Sequence, residues 1–144
     1  MLRRLTSTTA LWATVPLRLA LGTAFIGHGA QKVLGSFNGP GWAKFTSFPA
    51  PFPFMRPAWL WMGAAALSEL TGGILVLLGL FTRVGAFLIA CVMLVAIFGV
   101  LWPRFFAPTG MELALAFLSI ALALLIAGGG QASVDLMIGS GRRR

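Results

Sequence analysis

Apolar residues fall in four long blocks along this chain, at about residues 11–34, 58–80, 84–102 and 111–129. Each is close to the roughly 20 residues that a helix needs to cross a hydrocarbon core about 30 Å thick. The blocks are rich in Leu, Ala and Gly. They lack both the two-residue alternation of an outer-membrane strand and the single polar face of a soluble helix. Proline and short polar runs separate them: residues 40–57, "FTR" at 81–83 and "PRFFAPTG" at 103–110. The pattern predicts an all-α membrane protein, one domain over residues 1–144, built as a bundle of four transmembrane helices.

Composition agrees with the pattern. Of 144 residues, 58% are hydrophobic and 10% are charged, and the mean hydropathy is +0.92, above the range of soluble domains. A signal peptide is a poor description of the first block: Arg18 interrupts it, no A-x-A site follows, and it stays apolar past position 30. A net charge of +8 would suggest nucleic acid in a soluble protein. Here the basic residues sit at the ends of the blocks, which points to topology instead. With four crossings, Arg3, Arg4, Arg83, Arg142, Arg143 and Arg144 share one face against Lys32, Lys44, Arg56 and Arg104 on the other. That bias favours both termini in the cytoplasm; the expected location is a bacterial plasma membrane. The single cysteine, Cys91, excludes a CxxC dithiol within the chain and reads as a small core residue.

The informative residues are the ionisable ones inside the blocks, since each costs roughly 2.5–3.5 kcal/mol to insert and needs a partner, a wet cavity or a function. They are Arg18, His28, Lys32 and Glu69, with Glu112 at the edge of the fourth block. On a helix, Arg18, Gly22, Phe25, His28, Gly29 and Lys32 share one arc, and His28 and Lys32 are four residues apart. In the second block Ala65, Glu69, Gly72 and Gly73 make a small-residue stripe around an acid near mid-membrane. Glu69 is therefore expected to face the first helix and pair with Arg18 or reach His28. Glu112 is a candidate partner for Lys32, with helix capping as the alternative, and Asp135 is expected to form a structural ion pair with Arg83. A lone histidine offers no set of metal or haem ligands, so neither is predicted. Each of these groups also has a plain structural reading: a buried pair that fixes helix register for Arg18 and Glu69, and a snorkelling anchor for Lys32.

The connection between the first two helices is unusual, with Trp42, Phe45, Phe48, Phe52 and Phe54 set among prolines. Spacing of three predicts a short helical turn at Trp42, Phe45 and Phe48 lying on the membrane. An extended strap over residues 49–53 should follow, capping the bundle above His28 and Lys32 or serving only as an aromatic belt.

Four pieces of the chain together resemble the DoxX family of small four-helix membrane proteins: "RLALGTAFIGHGAQKVLG" (18–35), "SELTGGILVLLGLFTR" (68–83), "TGMELAL" (109–115) and "GGGQASVD" (128–135). The acid, glycine pair and "LLGLFTR" of the second piece are the most specific part. The loop over residues 39–57 departs from the shorter members. The resemblance implies a membrane oxidoreductase component linked to quinone, with a soluble or membrane redox partner protein. Carried over by motif, it singles out Arg18, Gly29, Lys32, Glu69, Gly72, Gly73, Arg83, Glu112 and Asp135.

Under that reading the cofactor is a quinone. His28 or Lys32 hydrogen-bonds a ring carbonyl, and Glu69 or Glu112 relays protons. Arg18, Gly29, Gln31, Gly72, Gly73 and Glu112 shape the site, with the glycine stripes opening space between the first two helices. Electrons come from a partner protein or a bound cofactor, since the chain offers no carrier of its own. Two other classes fit the same charges: a small-solute or lipid carrier with Arg18, His28 and Glu69 along a polar path, and a non-catalytic assembly subunit. Glycine-rich faces also suit a homo-oligomer.

Overall fold

The computed structural model describes residues 10–106, 108 and 110–141, so the terminal arginines of the topology argument and Thr109 of the third family piece lie outside the described residues. Among the described residues there are helices and no strands. In chain order they are α1 (Thr14–Val33), α2 (Gly41–Thr46), α3 (Ala58–Leu78), α4 (Thr82–Ala96), α5 (Glu112–Ala127) and α6 (Val134–Gly141). Among the described residues two stretches are long and apolar enough to cross a membrane, Ala58–Leu78 and Thr82–Leu101. α1 has 20 residues but carries Arg18, His28 and Lys32, and α5 is apolar with 16 residues.

Local chemistry sets the ends of these helices. α1 stops at Leu34, and Gly35 follows with φ 73°, a left-handed conformation that glycine adopts without strain. α3 closes the same way at Gly79 (φ 67°), where the Leu80 N–H donates to Leu75 O and the Gly79 N–H to Val76 O. α4 continues into one wide turn over Ile97–Leu101, sealed by the Trp102 N–H to Ile97 O bond of 2.9 Å. The predicted helical turn in the aromatic loop corresponds to α2. Beyond it, Pro49 and Ala50 lack regular structure and the chain turns at Phe52, whose carbonyl accepts from the Met55 N–H, where an extended strap was expected.

α1 packs against α3, α3 against α4 and α4 against α5, and α5 closes back onto α1. Leu21, Phe25, Val76, Ala86, Ile89, Ala90, Ala121 and Leu124 fill the centre. The α1–α3 contact is set by small residues. A Cβ on Gly22 would fall 2.9 Å from Leu77 Cα, one on Gly29 2.5 Å from Leu70 Cα, and one on Gly73 2.7 Å from the Ile26 backbone nitrogen. These contacts fix an antiparallel register with Gly22 opposite Leu77 and Gly29 opposite Leu70. Gly72 does the same towards α4, where its Cβ position meets Gly85 O and Ile89 at 3.1 Å. The expected opening between α1 and α3 is therefore closed: the glycines let the helix backbones touch.

Candidate functional site

The register separates Glu69 from both of its expected partners. If α1 and α3 ended flush, Glu69 would lie between Arg18 and His28. Instead α3 extends about two turns past the end of α1, and α2 fills the step, with Trp42 seated over Gly63. Glu69 comes level with the last turn of α1 and pairs with Lys32, whose Nζ lies 2.5 Å from both carboxylate oxygens. Arg18 and His28 take no part. Glu69 is 3% exposed and Lys32 24%. The cation also sits 5.1 Å from the centre of the Phe45 ring, and at the C-terminal turn of α1 it faces favourable carbonyl dipoles.

This pair forms the polar end of a cavity of about 820 Å³ bounded by the end of α1, the aromatic loop, α3 and α4. Phe45, Phe48, Pro49, Ala50 and Pro51 cover it. Trp61, Met62, Ala65, Leu88, Val92, Val95 and Val100 supply most of the wall. Gly99, in the wide turn of α4, gives the loop a seat: a Cβ there would fall 2.6 Å from Pro51 and 3.0 Å from the Phe52 ring. An apolar chamber of this size with one charged, hydrogen-bonding end suits a ligand with a polar head and an apolar body. Sequence reasoning missed two polar wall residues, Ser68 and Cys91. Cys91 is exposed to this space, not packed in the core. The only available signal was that Ser68 precedes Glu69.

The other expected site residues lie elsewhere. Gly29, Gly72 and Gly73 make helix contacts, and Gln31 packs its backbone under Gly39. His28 is exposed and stands edge-on to Phe25, with ring centres 6.1 Å apart. Glu112 opens α5 with its N–H on Phe105 O, and Lys32 is engaged with Glu69, not with Glu112.

Arg18 is 5% exposed and lies at the opposite end of the bundle from the cavity. Its Nε donates to Val76 O at 3.1 Å, which also accepts from the Gly79 N–H, and its Nη2 to Leu77 O at 3.0 Å, both in the last turn of α3. Its Nη1 reaches Gly129 O, Gln131 O and Ala132 O at 3.0–3.2 Å, and Nη2 also reaches Ala132 O. The "GGGQAS" stretch thus wraps a guanidinium.

Asp135 adjoins this cage but does not pair with Arg83 as expected. Its carboxylate accepts from the N–H groups of Phe81 (2.8 Å) and Thr82 (2.9 Å) and from the Thr82 hydroxyl (2.9 Å), capping α4 where the helix dipole favours an anion. Arg83 instead donates to Ile126 O at 2.8 Å, tying the start of α4 to the end of α5. Removing the cap strands buried donors. Asp135→Ala should therefore cost about 2 kcal/mol, and Arg83→Ala, which removes a more exposed bond, well under half of that. Thermal unfolding of the two variants in mild detergent checks the order.

No curated protein and no solved structure matches this chain. A model of the DoxX family matches residues 13–102, more than half of the chain, from α1 through the wide turn of α4, and so takes in both walls of the cavity and the Lys32–Glu69 pair. The chain belongs to the DoxX family of membrane proteins.

Proposed function

We propose that this protein is a quinone-linked component of a membrane oxidoreductase complex, with α1, α3, α4 with its wide turn, and α5 each crossing the plasma membrane and both termini in the cytoplasm. The observation that carries this reading is the Lys32–Glu69 pair at the polar end of an otherwise apolar chamber beneath the aromatic loop. The donor set fits the group. Lys32 offers N–H donors to a ring carbonyl, Glu69 beside it holds or releases a proton, and the apolar wall takes the ring and the start of an isoprenoid tail. A bound quinone supplies two-electron, two-proton chemistry, with electrons from a redox partner protein. Lys32 orients the head, Glu69 holds Lys32 in place, and the Phe45–Pro51 segment shields one side of the chamber. Arg18, His28 and Glu69 do not share a path, which takes away the feature that favoured a solute carrier.

The test is mass spectrometry of organic extracts from protein purified in mild detergent. About one quinone per chain is expected, falling at least tenfold in Glu69→Gln. Extracts without quinone from well-folded protein would discard the reading.

A further inference from the structure

Hydroxyl groups on apolar helices normally return their proton to a carbonyl one turn back, because an unbonded O–H in hydrocarbon is costly. This protein follows the rule at Thr23, Thr71 and Ser119, which donate to Leu19 O, Leu67 O and Leu115 O. The other long-helix hydroxyls are also engaged: Thr14 donates to Leu11 O and Gly129 O, and Thr82 to Asp135. Ser68 departs from it. Among the described residues its Oγ has no hydrogen-bond partner, and its half-buried side chain lines the cavity next to Glu69, with the hydroxyl open to that space. No hydrogen bond among the described residues uses this hydroxyl.

We infer that Ser68 is a specificity-determining contact for the cavity ligand, donating to a second oxygen on the same end of the head group that meets Lys32 and Glu69. This rests on the quinone reading above and narrows it. Ser68 immediately precedes Glu69 on α3, whereas the far wall at Gly99 and Val100 is apolar, so these polar contacts lie at one end of the chamber, with the Cys91 thiol on α4 the remaining polar wall group. A benzoquinone carrying an alkoxy oxygen beside its carbonyl presents two neighbouring acceptors to that end. A naphthoquinone presents a carbonyl flanked by a fused hydrocarbon ring or a methyl group and gives Ser68 nothing to bind. On this inference the preferred ligand is an alkoxybenzoquinone.

The experiment is calorimetric titration of the full chain in mild detergent, first washed until organic extracts carry no co-purified quinone, with two probes, a short-chain dimethoxybenzoquinone and a short-chain naphthoquinone. The wild type should bind the dimethoxybenzoquinone about five- to tenfold more tightly, the worth of one net hydrogen bond. Ser68→Ala should abolish that preference while leaving naphthoquinone affinity and the unfolding temperature unchanged, and Ser68→Thr, which keeps the hydroxyl, should retain it. A preference that survives Ser68→Ala, or equal loss for both probes, overturns the assignment of Ser68 while leaving the quinone reading standing. A wild type that binds neither probe overturns both.

Discussion

Replacing Arg18 by Met should cost about 3–5 kcal/mol of stability, more than removing the Asp135 cap or breaking either half of the Lys32–Glu69 pair, and should leave little monodisperse protein after extraction in mild detergent. The guanidinium satisfies carbonyls from three places at once: Val76 and Leu77 at the end of α3, Gly129 just beyond α5, and Gln131 and Ala132 on the approach to α6. Methionine fills the volume but removes the guanidinium's bonds to Leu77, Gln131 and Ala132 O and leaves Val76 O and Gly129 O only the Gly79 N–H and the Thr14 hydroxyl. The cost is the loss of a donor to several buried oxygens, not the loss of an ion pair. Arg18→Lys keeps the charge and should fail nearly as badly, because an ammonium has three N–H donors at one point and cannot span the five carbonyls that the planar fork reaches. If Arg18→Lys unfolded at the wild-type temperature, charge alone would account for the residue and the carbonyl cage would be incidental. The same replacement should leave the cavity chemistry intact in whatever fraction folds, since Gly22 and Gly29 hold the α1–α3 register between the two polar centres.

Much of this architecture is written in the punctuation of the chain. Pro57 starts α3, Gly79 ends it, and Gly35 ends α1, so the helix limits lie within a few residues of the expected ones. Register and rotation were not legible. They depend on which small residue on α1 meets which residue on α3, and the choice of Gly22 on Leu77 over a flush arrangement moves Glu69 by about two turns. That single shift exchanges its expected partner, Arg18, for Lys32. Asp135 misled for a related reason: its charge complements Arg83, but its place beside the N-terminus of α4 offered two backbone N–H groups and a hydroxyl. α6 was hidden because its eight residues carry too little periodicity to stand out after a glycine run. Ser68 and Cys91 carried no pattern at all, since only the separation of α3 from α4 under the aromatic loop makes them wall residues.

The two halves of the Lys32–Glu69 pair should not be equivalent when broken. Lys32→Met leaves a carboxylate that is 3% exposed without the counter-charge it pairs with, at a cost of about 2–3 kcal/mol. Glu69→Gln leaves an ammonium that is 24% exposed, still beside the Phe45 ring and on a stem able to reach a wetter position, at a cost of about 1 kcal/mol. Joining Lys32→Met to Glu69→Met removes both charges and should restore most of the loss, because apolar replacements of a buried pair are commonly neutral. Thermal unfolding of the wild type, both single variants and the double variant gives the coupling directly. Quinone content, measured on the same four samples, should fall at least tenfold in all three variants, including the double variant whose stability returns. Recovery of stability without recovery of ligand would mark the pair as a binding element that the fold does not need. Recovery of both would return Lys32 and Glu69 to the role of a register lock, and the chamber would then need another polar contact to hold a quinone.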